Sequence, residues 1–322
     1  MKNNAIGALA FLVSCSLLIG CSNQTTAKGN ENHEGHKNHV KQENQQRHEN
    51  HDSDEGLGTK NQQEVMQKDI NHNLQKWNDE KVYGKNIKIA VLDTGIDKNN
   101  SDLSYIKGAN FTSDKIDEFA DDNGHGTKIA GIIGARKNNH TLLGIAPESD
   151  LYIAKVANGN GDAKFENLVK GVYWAIEQNV DIINISLEFP NENNELHEAI
   201  KKASEKNIIV VSSSGNIKHE GDSDKAYPGA YPEVVGVGML NVKGKMYSKE
   251  FEKKKVDVFA PGEDIFSLYF NSKMTLDTGV SFATAYTSGY SALLIQKHKD
   301  NNTDYNKKQI ISELKKDLEK KI

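Results

Sequence analysis

The apolar residues of this chain form short runs that alternate with segments of helical spacing. Five runs are apolar at nearly every position, as expected of strands that are buried on both faces: Ile87–Leu92, Leu151–Val156, Ile182–Leu187, Ile208–Ser212 and Val234–Val237. Helical patterns lie before and between them, at Gln63–Trp77, His125–Gly134, Phe165–Gln178 and Leu196–Glu205. This alternation predicts one three-layer α/β domain with a central, mostly parallel sheet.

The N-terminal segment has the pattern of a targeting signal. Lys2 is followed by an uncharged run, and the strongly apolar part from Ala5 to Ile19 is shorter than the roughly 20 residues of a membrane span. Leu18-Ile19-Gly20-Cys21 resembles a bacterial lipobox, which implies cleavage before Cys21 and lipidation of its thiol. We therefore predict a lipoprotein signal peptide at 1–20 and an extracellular domain that is lipid-anchored to the outer face of the bacterial cell membrane. A plain membrane anchor and a soluble secreted protein are the alternatives.

A polar segment separates Cys21 from the periodic part of the chain. Between Ser22 and Gln62 only Val40 and Leu57 are apolar residues larger than alanine. Such a segment buries too little surface to offset the entropy of ordering it. The prediction is a lipidated cysteine with a disordered tether at 21–62 and a folded domain at 63–322.

Five of the eleven histidines lie in this tether, namely His33, His36, His39, His48 and His51. They could bind zinc or copper loosely, or they could be part of a solvated tether without a metal. The second interpretation is favoured, because no cysteine or fixed geometry accompanies the histidines.

Composition narrows the class of protein. A hydrophobic fraction of 36% and a charged fraction of 26% are ordinary for a globular chain, and the net charge of −5 argues against a nucleic-acid partner. The two cysteines, Cys15 and Cys21, both lie in the N-terminal segment. No disulfide can therefore form in the rest of the chain, and the stability of the domain must come from its core.

Three side chains of complementary chemistry follow one another in the order Asp, His, Ser. Asp93 ends a predicted strand, and sites in open α/β sheets form at the carboxyl ends of strands. His125 lies between two glycines at a helix start, where other backbone can approach the ring closely, and Ser281 lies where a long helix begins. Each position alone is commonly structural. Together they provide an orienting carboxylate, a base and a nucleophile.

This order resembles the subtilisin family, the subtilases, and differs from the order in chymotrypsin and in the α/β-hydrolases. The matching motifs occur in the family's order from about Trp77 to the C-terminus. They are Asp93-Thr94-Gly95-Ile96-Asp97, Gly124-His125-Gly126-Thr127, Leu143-Gly144-Ile145-Ala146-Pro147, Ile183-Asn184-Ile185-Ser186-Leu187, Ser214-Gly215-Asn216, Tyr227-Pro228-Gly229 and Ala260-Pro261-Gly262.

The resemblance implies a subtilisin-like fold and a serine endopeptidase with the catalytic residues Asp93, His125 and Ser281, assisted by Asn216 as an oxyanion donor. The chain departs from the family around the serine, at Val280, Phe282 and Ala285, where Thr, Met and Pro are usual. A catalytically inactive relative is therefore one alternative, and a non-enzymatic, metal-binding surface lipoprotein is another.

The resemblance also implies where a peptide or protein substrate binds as an extended strand. The flanking residues would be Gly159 and Gly161 on one side and Ser186, Leu187 and Glu188 on the other. Glu188 stands where the family often has glycine. Its carboxylate either favours Lys or Arg before the scissile bond or is a solvated rim residue.

Four further expectations follow from the resemblance. No cofactor is required for the chemistry, although a structural calcium could be held by Asp102 and Asn138. The Tyr227-Pro228 peptide bond is expected to be cis. The protein is expected to be monomeric. A lipid-anchored subtilase with little sequence before its domain resembles the leader peptidases that process lantibiotics and other exported peptide precursors.

Overall fold

A seven-stranded parallel sheet lies at the centre of the computed structural model, which describes residues 74–136, 142–215 and 225–319. The strands are β1 (Lys88–Asp93), β2 (Lys107–Asn110), β3 (Asp150–Lys155), β4 (Ile182–Ile185), β5 (Ile209–Ser213), β6 (Val235–Leu240) and β7 (Val258–Pro261), and their order in the sheet is β2-β3-β1-β4-β5-β6-β7. A separate antiparallel hairpin consists of β8 (Ile265–Leu268) and β9 (Met274–Asp277).

Helices cover both faces of this sheet. They are α1 (His125–Gly134), α2 (Phe165–Glu177), α3 (Asn194–Glu205), α4 (Val280–Asp300) and α5 (Lys307–Leu318), and residues 74–80 are also helical. Short 3₁₀ turns occur at Lys249–Lys253 and Phe270–Ser272. None of the described helices has both the length and the apolar character needed to cross a bilayer.

Two apolar cores result from the alternation of side chains along the strands. In β1, Ile89 and Val91 pack in the core that contains α1, α4 and α5, whereas Ala90 and Leu92 pack in the core that contains α2 and α3. A strand with both faces covered must be apolar at every position, which explains the continuous apolar runs in the sequence. The predicted three-layer α/β fold is confirmed.

Most predicted elements are present, with small differences at their ends. Helix α1 has the predicted bounds, and the five predicted strands correspond to β1, β3, β4, β5 and β6. The helix predicted at Gln63–Trp77 lies partly outside the described residues, and its described part is helical. The predicted signal peptide at 1–20, Cys21 and the histidines of the tether also lie outside the described residues.

The entry of the chain into the sheet is fixed to the long helix α4. The Gln296 side-chain oxygen accepts hydrogen bonds from the backbone N–H groups of Tyr83, Gly84 and Lys85, at 3.1, 2.7 and 3.0 Å. These three residues lie a short distance before β1, so their contacts hold the chain against α4 where it enters the strand. Residues at the opposite ends of these two elements, Asp93 and Ser281, belong to the candidate site.

Candidate active site

Asp93 is the last residue of β1, and its carboxylate is almost fully buried, with 1% of its surface exposed. Its Oδ1 atom accepts a hydrogen bond from the backbone N–H of Thr94 at 2.7 Å and lies 2.8 Å from Nδ1 of His125. Its Oδ2 atom has no hydrogen-bond partner within the described part of the chain. A buried carboxylate that contacts a ring nitrogen in this way fixes the orientation and the tautomer of the imidazole.

His125 begins helix α1 directly above the turn that follows β1. Gly124 precedes it with φ 101°, a backbone conformation that favours glycine, and a Cβ on Gly126 would overlap the carbonyl oxygen of Gly95. The predicted close approach of backbone at these glycines is therefore present. It brings the start of α1 onto the turn after β1, where the ring of His125 reaches Asp93.

The charge of Asp93 controls the protonation of His125. Burial of the ring lowers the pKa of His125, but the negative charge of Asp93 and its hydrogen bond outweigh this effect, so that the pKa lies above its ordinary value. With Nδ1 held by Asp93, the other ring nitrogen, Nε2, is the one that can exchange a proton with a substrate or a neighbouring hydroxyl.

A second carboxylate, Asp121, holds these loops together and was not predicted from the sequence. Its two oxygens accept hydrogen bonds from the hydroxyls of Thr94 and Thr127 and from the backbone N–H groups of Asn123, Gly124 and Thr127, at 2.6–3.0 Å. Burial raises the pKa of Asp121, but these hydrogen bonds outweigh it and hold the pKa below its ordinary value. The N-cap position of α1 is occupied by Gly124, and Asp121 lies three residues before it, so the usual N-cap signal does not mark this carboxylate.

Thr94 connects this carboxylate to the start of α1. Its hydroxyl donates to Asp121 at 2.8 Å and accepts from the backbone N–H of Gly126 at 2.8 Å. On the other side, buried Lys155 donates to the carbonyl of Thr94 at 2.6 Å and to the carboxylate of Asp122 at 2.5 Å. The peptide next to Asp93 is thus fixed from both sides.

Ser281 is the second residue of helix α4 and is partly exposed. Its hydroxyl donates to the carbonyl of Ser186 at 3.3 Å, and the hydroxyl of Ser186 donates to the carbonyl of Ser281 at 3.3 Å. The next residue, Phe282, has its ring centre 6.1 Å from that of His125. The start of α4 therefore lies beside both the end of β4 and the imidazole.

A buried polar chain supports this contact between β4 and α4. Ser288 donates to the side-chain oxygen of Asn184 at 2.8 Å, and the Asn184 amide donates to the hydroxyl of Ser186 at 3.0 Å. Asn184 and Ser288 are fully buried. Because buried polar groups are costly unless they are paired, this chain fixes the register of α4 relative to β4. This polar chain was not predicted from the sequence.

The predicted substrate-binding residues lie on both sides of Asp93. Strands β3 and β4 are the two neighbours of β1, and the segments with Gly159 and Gly161 and with Ser186, Leu187 and Glu188 follow their carboxyl ends. Gly159 accepts a hydrogen bond from the side chain of Asn123 at 3.1 Å. A cleft between these two segments would lie directly above Asp93.

Asn216, the predicted oxyanion donor, lies outside the described residues, which end on that side of the gap at Gly215. Asn138, one of the two predicted calcium ligands, also lies outside them. The other, Asp102, is buried, and Ser101 donates to its carboxylate at 3.1 Å. Within the described ranges no three His, Cys, Asp or Glu residues are grouped so that they could hold a metal ion.

The predicted cis bond at Tyr227-Pro228 is confirmed.

Comparison with known proteins gives the family. The model of the subtilase family matches residues 84–320, which include the whole sheet and all three of Asp93, His125 and Ser281. The chain belongs to the subtilase family. This subtilase is therefore a serine-type endopeptidase, and subtilases need no cofactor for catalysis.

Several serine proteases are similar to this subtilase. An intracellular serine protease of Paenibacillus polymyxa is 43% identical over 232 residues, which cover 68% of this chain and 69% of the relative. The major intracellular serine protease of Bacillus subtilis is 44% identical over 224 residues, which cover 66% and 69%. A subtilisin of Bacillus pumilus is 36% identical over 216 residues, which cover 67% and 78%.

These relatives correct the predicted location. The two proteins at 43% and 44% identity are named intracellular, which contradicts the prediction of a lipid-anchored domain on the outer face of the membrane. That prediction rested on Lys2, on the apolar run from Ala5 to Ile19 and on the resemblance of Leu18-Ile19-Gly20-Cys21 to a lipobox. All of these residues lie before residue 84, where the family match begins, so the features of the peptidase domain gave the prediction no support.

Proposed function

We propose that this subtilase hydrolyses internal peptide bonds with Ser281 as nucleophile, His125 as general base and acid, and Asp93 as the orienting carboxylate. The observation that carries the proposal is the 2.8 Å contact between Asp93 Oδ1 and His125 Nδ1, next to a serine at the start of α4. The Asp-His-Ser order agrees with the role of each residue in the family.

Proton transfer follows from this arrangement. Ser281 Oγ attacks the substrate carbonyl while its proton moves to Nε2 of His125, and the imidazolium then returns the proton to the leaving amine. For this step the hydroxyl must exchange its long hydrogen bond with Ser186 for one with His125. Asp93 remains ionised and stabilises the imidazolium.

The developing oxyanion would be stabilised at the start of α4. Ser281 lies in the first turn of that helix, where backbone N–H groups have no partner inside the helix. Asn216 would provide the second donor from its side-chain amide. This assignment rests on the Ser-Gly-Asn sequence, because the residue itself is not described.

Substrate would bind as an extended strand between the segments that follow β3 and β4. The carbonyl of Ser186 contacts the Ser281 hydroxyl, so the segment of Ser186, Leu187 and Glu188 begins at the nucleophile. Gly159 and Gly161 would line the opposite side of the cleft. Backbone hydrogen bonding would supply affinity, and the pocket beside Glu188 would accept the side chain that precedes the scissile bond.

The narrower proposals rest on the sequence resemblance. They are that the substrate is a peptide precursor from which a leader is removed, that Asp102 and Asn138 bind a structural calcium, and that the protein is monomeric. Hydrolysis of a precursor only at its leader junction, with other unfolded proteins left intact, would support the first of these.

Labelling with a fluorophosphonate tests the proposed nucleophile. We expect the Ser281 Oγ to form a bond to phosphorus with release of fluoride, because His125 removes the hydroxyl proton. Intact-protein mass spectrometry should show one adduct, and peptide mapping should place it on Ser281. Heat-denatured protein should not react.

A matched control for this labelling is Ser291→Ala, which removes a buried hydroxyl that bonds to Thr287 of the same helix. This variant should be labelled as fast as the wild type. Absence of an adduct on the native protein, or an adduct on another serine, would show that the protein lacks the proposed nucleophile and would favour the inactive-relative alternative.

The pH dependence of kcat/KM tests the coupling of His125 to Asp93. Only neutral His125 can accept the serine proton, and its pKa is held above the ordinary value of about 6.5. Activity should therefore fall as the pH is lowered through this raised pKa, with a midpoint above about 6.5. An acidic limb with its midpoint well below pH 6 would contradict the assignment of His125 as the base.

A further inference from the structure

Glu188 lies close to the proposed nucleophile. It is two residues beyond Ser186, whose carbonyl accepts the Ser281 hydroxyl. Strand β5 is the neighbour of β4 and ends at Ser213, so Gly215 leaves the same edge of the sheet beside Glu188. Glu188 is partly buried and Gly215 is buried.

A lysine from a distant part of the chain reaches the same point. A Cβ on Gly215 would lie 3.1 Å from Oε2 of Glu188 and 2.7 Å from Nζ of Lys254, with the Cβ of Ala226 also at 2.7 Å. The space above Gly215 is therefore occupied by one carboxylate and one ammonium group. Lys254 follows the 3₁₀ turn that precedes β7 and is partly buried.

The position of Gly215 places this pair of charges at the proposed substrate cleft. Gly215 directly precedes Asn216, the proposed oxyanion donor, and Glu188 ends the segment that begins at Ser186. Both charged groups lie next to the same point above Gly215, and the interaction of partly buried charges is stronger than that of charges in bulk water. A substrate side chain that enters beside Gly215 would therefore meet a pocket whose two charges compensate each other.

We propose that Lys254 determines the selectivity of the first substrate pocket by neutralising Glu188. This inference rests on the proposed function. The sequence left two alternatives for Glu188, a carboxylate that favours Lys or Arg before the scissile bond or a solvated rim residue. With Lys254 present, the pair has no net charge. The attraction of a basic substrate side chain to Glu188 is then about equal to its repulsion by Lys254. The wild-type enzyme therefore does not select basic residues.

Kinetics with three peptides tests the inference. The peptides are identical except for Leu, Arg or Glu directly before the scissile bond, and kcat/KM is measured for wild type, Lys254→Met, Glu188→Gln and the double variant. The Arg-to-Leu ratio, which is kcat/KM for the Arg peptide divided by kcat/KM for the Leu peptide, should rise as the net charge of Glu188 and Lys254 becomes more negative. It should be highest in Lys254→Met, lowest in Glu188→Gln, and nearly equal in the wild type and the double variant.

We expect each step of one charge to change the Arg-to-Leu ratio by about tenfold, since a partly buried charge pair interacts more strongly than one exposed at a rim. The ratio of Glu to Leu should change in the opposite direction. The control variant is Lys253→Met, which removes the same charge from an exposed neighbouring residue and should leave both ratios within about twofold. Lys254→Gln serves as a second neutral variant if Lys254→Met does not fold.

The possible outcomes separate this inference from the proposed function. If the neutral Lys254 variant hydrolyses the Leu peptide at the wild-type rate and the Arg-to-Leu ratio is unchanged, Lys254 does not act in the pocket and the inference is wrong. An equal change in Lys253→Met would also overturn it, because the effect would then be one of general surface charge. If wild type hydrolyses none of the peptides, the proposed function is wrong and the inference fails with it.

Discussion

Ser281→Ala is expected to lower kcat for peptide hydrolysis by about 10⁶-fold, the loss known for removal of the serine in subtilisin. The variant removes the proposed nucleophilic oxygen, to which the acyl group of the substrate would be transferred. The measurement is hydrolysis of a fluorogenic peptide at saturating concentration, with enough enzyme to detect the residual rate.

The variant should fold normally, because the serine hydroxyl makes only a long hydrogen bond of 3.3 Å to Ser186 and alanine is favourable in a helix. Far-ultraviolet circular dichroism and the melting temperature check this point. Ser291→Ala, on the same helix, should retain the wild-type rate. Hydrolysis by purified Ser281→Ala within tenfold of the wild type would show that another group performs the attack.

The sequence was sufficient to predict the central part of the fold. Strand β1 needs apolar residues on both faces, since Ile89 and Val91 enter one core while Ala90 and Leu92 enter the other. A continuous apolar run is the direct result of this burial, and it is visible without knowledge of the neighbouring strands. The same holds for β3, β4, β5 and β6.

The peripheral elements were missed because their local patterns are weak. Strands β2 and β7 are the two edges of the sheet, β2 has only four residues including Gly108, and β7 ends in Pro261. Helix α5 buries Ile310, Leu314 and Leu318 among many lysines. Its four-residue spacing was present in the sequence, but the short apolar stripe is easily taken for a solvated tail.

Some residues of the candidate site could be predicted from the sequence, and others could not. Asp93, His125 and Ser281 were identified because each lies in a short motif at the end of an element. Partners that are distant in sequence were not, since neither member of such a pair has a local pattern. Lys254 and Glu188 approach Gly215 from different strand connections, and Ser288 donates to Asn184 across 104 positions of the chain.

Asp93→Ala is expected to lower kcat by about 3 × 10⁴-fold, again the loss known for the corresponding change in subtilisin. Without the carboxylate, His125 loses both the hydrogen bond that fixes its Nδ1 and the charge that stabilises the imidazolium. The same charge holds the pKa of His125 above its ordinary value. The acidic limb of kcat/KM should therefore move to lower pH in this variant.

Asp93→Asn separates the two contributions. In the wild type, Oδ1 alone receives the hydrogen bond from Thr94 and contacts His125, whereas Oδ2 has no partner among the described residues. An asparagine can keep its oxygen at the Oδ1 position and place its amide at the Oδ2 position, so that the tautomer of His125 is retained. We therefore expect a smaller loss of kcat than in Asp93→Ala, with the same shift of the acidic limb, because the charge is absent from both variants. An equal loss in the two variants would mean that the asparagine amide faces His125 and inverts its tautomer, which would contradict the expectation that the asparagine oxygen takes the Oδ1 position.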